Sequence, residues 1–182
     1  MNLYRDTLAS PLGNIAILAH ETALCAVHFG DMDDRLLGFL RRRFNDLRLI
    51  DRPDPLGATS RLRAYFAGDI GAIDGLPADG GGTEFQRRVW SALREIPAGA
   101  TATYGELACR IGAPRACRAV GLANGSNPIA IVVPCHRVIG SNGTLTGYGG
   151  GLDRKRWLLD HEHASRPIER RGLQSVSAAP AR

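Results

Sequence analysis

The stretch IAIVVPCHRVIG, residues 129–140, joins an apolar run to a chemically loaded corner. Residues 129–133 are all aliphatic, which fits a short strand buried on both faces. The run is closed by Pro134, Cys135, His136 and Arg137, and a glycine-rich loop follows over residues 140–151. Strand ends that open into loops commonly present functional groups. A thiol is a useful nucleophile only as the thiolate, so a reactive cysteine needs a base, a cation or a helix N-terminus beside it. Here an imidazole and a guanidinium follow the sulfur directly. Neighbouring side chains on an extended chain point to opposite sides. His136 is therefore expected to reach Cys135 through a turn or a water. For an arbitrary Cys-His pair a buried, inert cysteine is the ordinary reading; the setting between core and glycine loop argues for chemistry.

Working outward, residues 152–162 read as a last helix, and beyond Ala164 the chain is rich in Arg, Ser and Pro. A disordered tail is expected over 165–182. Upstream, residues 103–111 and 115–124 read as two short helices joined by Gly112-Ala113-Pro114, with Pro114 suited to the first turn of the second. Two short helices around a three-residue turn match a helix-turn-helix. Before them, Thr83 is a good N-cap with Gln86 at the capping-box position, opening a helix that buries Phe85, Val89, Trp90 and Leu93. LPADGGG, residues 76–82, marks a boundary. In the first part, residues 3–8, 15–19 and 24–29 read as strands, with SPLGN (10–14) as one hairpin turn and 20–23 as the other. Residues 33–49 carry Leu36, Leu37, Leu40, Phe44 and Leu47 at helical spacing, and a second helix is expected over 59–67 before Gly68. The expected fold is an α/β N-terminal domain with a small antiparallel sheet (1–76), a linker (77–82), and a mostly helical C-terminal domain containing the helix-turn-helix (83–164).

Composition limits the classes open to such a chain. Its 182 residues, 44% hydrophobic and 23% charged, are ordinary for a soluble globular protein. The start carries no signal peptide and no stretch approaches membrane-spanning length, so a cytoplasmic protein without membrane contact is expected. Cys25, Cys109, Cys117 and Cys135 form no CxxC pair and read as free thiols. Residues 1–84 hold 9 Arg against 12 Asp or Glu, whereas residues 85–163 hold 10 basic against 5 acidic groups. A basic second half behind an acidic first half suits a polyanionic partner. Lys155 is the only lysine, since the other 22 of the 23 basic residues are Arg.

Several motifs in order make the resemblance specific: FQRRVW (85–90), IPAG (96–99), TYGELA (103–108), RAVG (118–121), NP (127–128), PCHRVIG (134–140), GYGGG (147–151) and Lys155-x-x-Leu158-Leu159. Together they resemble the O6-alkylguanine-DNA alkyltransferases, densely over residues 83–162. The SPLG turn (10–13) fits the family's smaller domain more loosely. The resemblance implies a DNA-repair methyltransferase that takes a methyl or larger alkyl group from O6-alkylguanine, with O4-alkylthymine a further candidate. The group would go to Cys135, irreversibly and once per molecule. It implies His136 as the base acting through a water, Glu162 as the group holding its tautomer, Asn127 orienting the segment that carries the cysteine, and Tyr104 protonating the departing guanine and pressing on the neighbouring phosphate. Arg118 would enter the base stack in place of the extruded nucleotide, with Val138, Tyr148 and Gly149 walling the pocket and Lys155 serving the pocket or its loop. The partner would be double-stranded DNA, bound in the minor groove by a monomer.

Physics supports parts of this independently. The guanine oxygen is inaccessible within a stacked duplex, so the base must be flipped at a cost of a few kcal/mol, and a side chain filling the gap offsets part of it. Ala116, Ala119 and Gly121 would let the backbone of the second helix approach a narrow groove. A leaving guanine needs a proton donor, and a tyrosine can supply one. No cofactor and no metal is expected: Cys25 with His20 or His28 supplies too few ligands for a tetrahedral site. Cys109, Trp90 and Trp157 are expected in the core, Cys117 as a small helix residue beside the DNA, and His161 and His163 on a solvated helix end. The alternatives are a non-catalytic protein that binds the lesion without reacting and a thiol hydrolase; neither explains Cys135, His136, Glu162 and Arg118 together.

Overall fold

The computed structural model describes residues 1–44 and 46–165; the tail expected beyond Ser165 lies outside the described residues. The sheet is built from β1 (Asn2–Ser10), β2 (Gly13–Ala19), β3 (Leu24–Phe29) and β4 (Arg48–Asp51), in the order β3-β2-β1-β4. The three expected strands are antiparallel neighbours, and β4 adds a parallel edge, pairing Asn2 with Arg48 through Arg5 with Asp51. Ser10 clamps the β1–β2 turn: its hydroxyl donates to Gly13 O at 2.6 Å and accepts from Leu12 N at 3.1 Å. Every residue from Ile15 to Ala19 is buried, because β2 is covered on both faces. Ala16 and Leu18 meet α1 (Asp34–Arg43) through Leu36 and Leu40, whereas Ile15, Ile17 and Ala19 face the main core.

The helix expected over 33–49 ends at Arg43, and Phe44 turns the chain into extended backbone. Leu47 and Leu49 pack against the same cluster as Leu36 and Leu40, but with the period of a strand. Over so short a segment, periods of 2 and 3.6 share positions, which is why the sequence reads as one helix. The next helix, α2 (Ala58–Phe66), lies one residue from its expected place.

Residues 76–82 are not a loose connection. Leu24 N donates to Pro77 O and Asp79 N donates to Leu24 O, both at 2.8 Å, so the segment runs along the outer edge of β3. Further along that edge, Val27 N donates to Pro128 O and Ala130 N to Val27 O, both at 3.0 Å. Gly80 passes so close to Trp90 that a β-carbon would stand 2.8 Å from the indole. One hydrophobic core runs across both halves, joining Leu8, Ile17 and Val27 to Val89, Trp90, Val120 and Val138.

In the second half, α3 (Glu84–Arg94) opens on the expected capping box, with Thr83 and Gln86 bonded reciprocally. Trp90 Nε1 donates to Ala123 O at 2.8 Å, tying α3 to a helix further along the chain. A second capping box, Thr103 with Glu106, opens α4 (Tyr104–Arg110). α5 (Cys117–Gly125) begins two residues later than expected, and Pro114 and Arg115 lie in the turn before it. α4 and α5 form the helix-turn-helix. Cys109, expected in the core, is exposed: on so short a helix Leu107 and Ala108 alone fill the buried face. β5 (Ala102–Thr103) and β6 (Val138–Ile139) pair in parallel, and α6 (Leu152–Ala164) closes the domain.

Residues 129–133 do not form the expected strand. Only Ile129 pairs, in a single bridge to Val27. The chain then coils, with Val132 N on Ala130 O at 2.8 Å and Val133 N on Ile129 O at 3.0 Å. Ile131 takes a φ of 70°, a strained conformation for a β-branched residue. The run is apolar because Ile129, Ile131, Val132 and Val133 are all buried, and burial alone says nothing of backbone conformation.

Candidate active site

Coiling of residues 129–133 delivers Cys135 at the start of a 3-10 turn, Cys135–Arg137, rather than at the end of a strand. The turn is what lets three consecutive side chains all bury. Cys135 N donates to Val133 O at 2.8 Å and Arg137 N to Pro134 O at 3.0 Å. Asn127 fastens the coil from the side: its Nδ2 donates to Val133 O at 2.8 Å and to Cys135 Sγ at 3.1 Å, and its Oδ1 accepts from Ile129 N at 3.0 Å. Asn124, which the sequence gave no reason to single out, donates to Cys135 O at 3.4 Å.

Cys135 is 6% exposed. Burial pushes the Cys135 thiol up, against the Asn127 hydrogen bond and the Lys155 charge, which pull it down. A thiol held in this way is protonated at rest, and it ionises only with the help of a base.

His136 is fully buried, and its Nε2 lies 2.9 Å from Glu162 Oε1. Glu162 also accepts from Arg137 Nη2 and Tyr65 Oη on Oε1, and from Arg137 Nε and Gly99 N on Oε2, over 2.8–3.2 Å. Burial alone would raise the Glu162 carboxyl, but hydrogen bonds from His136 and Arg137 outweigh it and hold it well below the usual carboxylate range. An ionised carboxylate only accepts, so Nε2 must carry the proton and Nδ1 the lone pair. Burial pushes His136 down, against the pull of Glu162, which keeps the imidazole neutral. Nδ1 is buried and has no hydrogen-bond partner among the described residues. The pair thus presents a neutral base with a fixed tautomer, held by a carboxylate whose charge Arg137 balances.

A cavity of about 410 Å³ opens onto Cys135 between Asn127, Pro128, Tyr148 and Gly149, with Phe29 and Phe39 of the sheet half as its far wall. Those two rings carried no sign of the site in the sequence. Tyr148 meets Phe29 edge-on at 6.2 Å. A β-carbon on Gly150 would stand 2.7 Å from Phe29, so only glycine lets the loop lie this close. Lys155 is fully buried and donates to Val138 O at 2.6 Å and Thr146 O at 2.8 Å, pinning the glycine loop to β6. Val138 is itself fully buried in β6 and does not line that cavity.

Tyr104 stands at the start of α4, half-buried, its hydroxyl accepting from Thr146 at 3.4 Å. Gly121 on α5 faces the Tyr104 ring, where a β-carbon would make an ordinary contact at 3.9 Å. Arg118 and Ala119 are exposed on α5, Ala116 is half-buried just before it, and Leu122, one turn after Arg118, is 78% exposed. His161, expected on a solvated helix end, is half-buried: it bonds Tyr65 O at 2.8 Å and stacks on Trp157 at 4.7 Å. His163 is exposed. Cys25 is buried, its thiol directed at Ala23 O, and no described residues form a group of three or more His, Cys, Asp or Glu able to hold a metal. No helix of the described residues is long and apolar enough to cross a membrane.

A buried thiol facing a cavity, backed by an ordered neutral imidazole and set beside a basic helix-turn-helix, defines a single-cysteine transferase that meets nucleic acid. Comparison with known proteins narrows the class. Residues 84–164 match the family described as 6-O-methylguanine DNA methyltransferase, DNA binding domain, and residues 3–79 match its ribonuclease-like domain. The chain is 49% identical over 165 residues to the methylated-DNA–protein-cysteine methyltransferase of Shigella flexneri, covering 89% of this chain and 96% of that one. It is 48% identical over 170 residues to the protein of the same name from Mycobacterium bovis, covering 92% and 96%. The crystal structure of Mycobacterium tuberculosis OGT in complex with DNA superposes with a TM-score of 0.77 at 44% identity, covering 92% of this chain and 96% of that one. The chain belongs to the 6-O-methylguanine DNA methyltransferase family.

Proposed function

We propose that this protein repairs DNA by moving the alkyl group of O6-alkylguanine in duplex DNA onto Sγ of Cys135, irreversibly and once per molecule. The observation that carries the reading is the arrangement around the sulfur: Asn127 donates to it, and the adjacent imidazole has committed Nε2 to Glu162 and kept Nδ1 as the free base. The proton of the thiol passes through a water to His136 Nδ1. The thiolate attacks the alkyl carbon as the bond from that carbon to guanine O6 breaks. Tyr104 donates a proton to the departing guanine and regains one from solvent, as His136 returns its own. The sum is a thioether and an intact guanine. A thioether offers no easy hydrolysis, and no second nucleophile stands by among the described residues to release it.

Reaction requires the base outside the stack. α5 enters the minor groove, where Ala116, Ala119 and Gly121 allow close approach, and Arg118 occupies the space of the flipped nucleotide. The protein acts as a monomer in the cytoplasm. Its domains divide between residues 76 and 83, a reading supported by the glycine run and by the two separate family matches.

The test is to mix the protein with a duplex bearing O6-methylguanine and weigh the intact chain. One methyl mass, gained once and mapped to the Cys135 peptide, is expected, and Cys135→Ser abolishes it. Binding without mass gain marks a lesion sensor instead, and demethylation that survives Cys135→Ser removes the proposal.

A further inference from the structure

Glu162 is reached by four residues, and one belongs to the sheet half. Tyr65, on α2, is fully buried, and its hydroxyl donates to Glu162 Oε1 at 2.9 Å. The same oxygen accepts from His136 Nε2 at 2.9 Å. The contact is built into a wider seam between α2 and α6. The Tyr65 ring meets His161 edge-on at 5.2 Å, Phe66 packs on Trp157 at 5.8 Å, and His161 bonds the Tyr65 carbonyl at 2.8 Å.

A carboxylate offers about four lone-pair sites. Glu162 receives five donors: His136, Arg137 and Tyr65 on Oε1, Arg137 again and Gly99 on Oε2. The carboxylate therefore cannot rotate without abandoning bonds, and its charge is divided among all of them.

We propose that Tyr65 is a positioning residue for alkyl transfer: by fixing Glu162 Oε1 and drawing on its charge, it keeps His136 in the neutral form with Nδ1 free to accept. The sheet half thereby takes part in a reaction whose atoms it does not carry. The inference rests on the proposed role of His136 as base. The groups that act on His136 are Glu162 and Lys155 from α6, Arg137 from its own turn and, through Glu162, Tyr65 from α2. Burial holds Tyr65, like Tyr148 in the glycine loop, in its neutral form. Without the Tyr65 hydroxyl more of the Glu162 charge falls on His136, the imidazolium is better stabilised, and the base is lost at a higher pH.

Tyr65→Phe tests this in two readouts: the single-turnover rate on duplex O6-methylguanine across roughly pH 5 to 8, and the ¹⁵N titration of His136 without DNA. The acid limb and the ¹⁵N midpoint both rise, by about one pH unit, so that the loss is about tenfold at acid pH and narrows toward the alkaline end. Phe66→Leu loosens the same seam with the hydroxyl in place; it lowers the thermal midpoint and leaves the acid limb unmoved. A Tyr65→Phe profile parallel to the parent's, an unmoved ¹⁵N midpoint, or an equal shift in Phe66→Leu overturns the proposal. A parent protein that gains no methyl group overturns the functional reading instead, and the ¹⁵N titration still decides the role of Tyr65.

Discussion

Exchanging Glu162 for glutamine keeps the shape of the side chain and removes its charge, and the hydrogen bonds decide how the amide settles. An NH₂ at the position of Oε1 would face three donors, from His136, Arg137 and Tyr65; at the position of Oε2 it would face two, from Arg137 and Gly99. The second orientation is preferred, so the amide oxygen still accepts from His136 and the tautomer survives. Arg137, 8% exposed, keeps Ile96 O at 2.5 Å but loses its counter-charge. Removing one partner of a buried ion pair costs about 3–5 kcal/mol. At about 2–4 °C per kcal/mol for a protein of this size, the thermal midpoint falls by roughly 6–20 °C. The amide also gives no support to the imidazolium that forms as the thiol proton arrives. A positioned general base contributes about 10²–10⁴-fold, and single-turnover methyl transfer slows within that range. With the carboxylate gone, burial acts on His136 unopposed and the acid limb moves down in pH, opposite to Tyr65→Phe. Calorimetry and rapid-quench kinetics read both effects. A midpoint within about 2 °C of the parent, or a rate within about threefold, refutes the reasoning.

Arg118→Ala is expected to slow transfer from duplex O6-methylguanine far more than from free O6-methylguanine, because only the duplex needs the flipped state stabilised, by up to a few kcal/mol; equal slowing on both removes the gap-filling role. Methylating Cys135 places a new carbon in a site that is 6% exposed and already engaged by Asn127. Weakening that hydrogen bond, worth about 0.5–1.5 kcal/mol, lowers the midpoint by roughly 1–6 °C after one equivalent of substrate; an unchanged midpoint contradicts it. The folded-state values of His136 and Glu162 both lie below their unfolded ones, so protons favour the unfolded chain. Their stabilisation is complete above about pH 6.5, where unfolded histidine is neutral, and is lost as pH falls through the folded values. Denaturant midpoints should decline from there downward, and a rise on acidification would reverse the assignment. DNA affinity should fall steeply with salt as phosphate contacts release counterions; a flat response excludes phosphate-dominated binding.

Local chemistry made some of this molecule readable in advance. Thr83 with Gln86 announces a helix start because a cap is a contact between near neighbours, and the turn around Gly112 likewise marks α4 and α5. The apolar run 129–133 misled because its residues report only that they are buried, and a coil can bury them as well as a strand. The end of α1 was lost where Leu47 and Leu49 serve the same cluster with a different period. Tyr65 and Gly99 were invisible as partners of Glu162, lying 97 and 63 positions away. Arg137 stood in plain view beside the cysteine, yet nothing local says that its guanidinium turns inward to a carboxylate on α6. Glu162 itself was legible only through the family resemblance.

β3 works as a jig for the sulfur. Along one edge its backbone grips the chain twice, at Leu24 where the helical half begins and at Val27 where residues 128–130 lead toward the turn that carries Cys135. The spacing between those grips is set by peptide geometry, not by side chains. An added or deleted residue within β3 would slide one grip against the other and drag Asn127 off its anchor, although no atom of the reacting group had been touched. An insertion in the exposed turn before it, at Glu21 or Thr22, leaves both grips where they are.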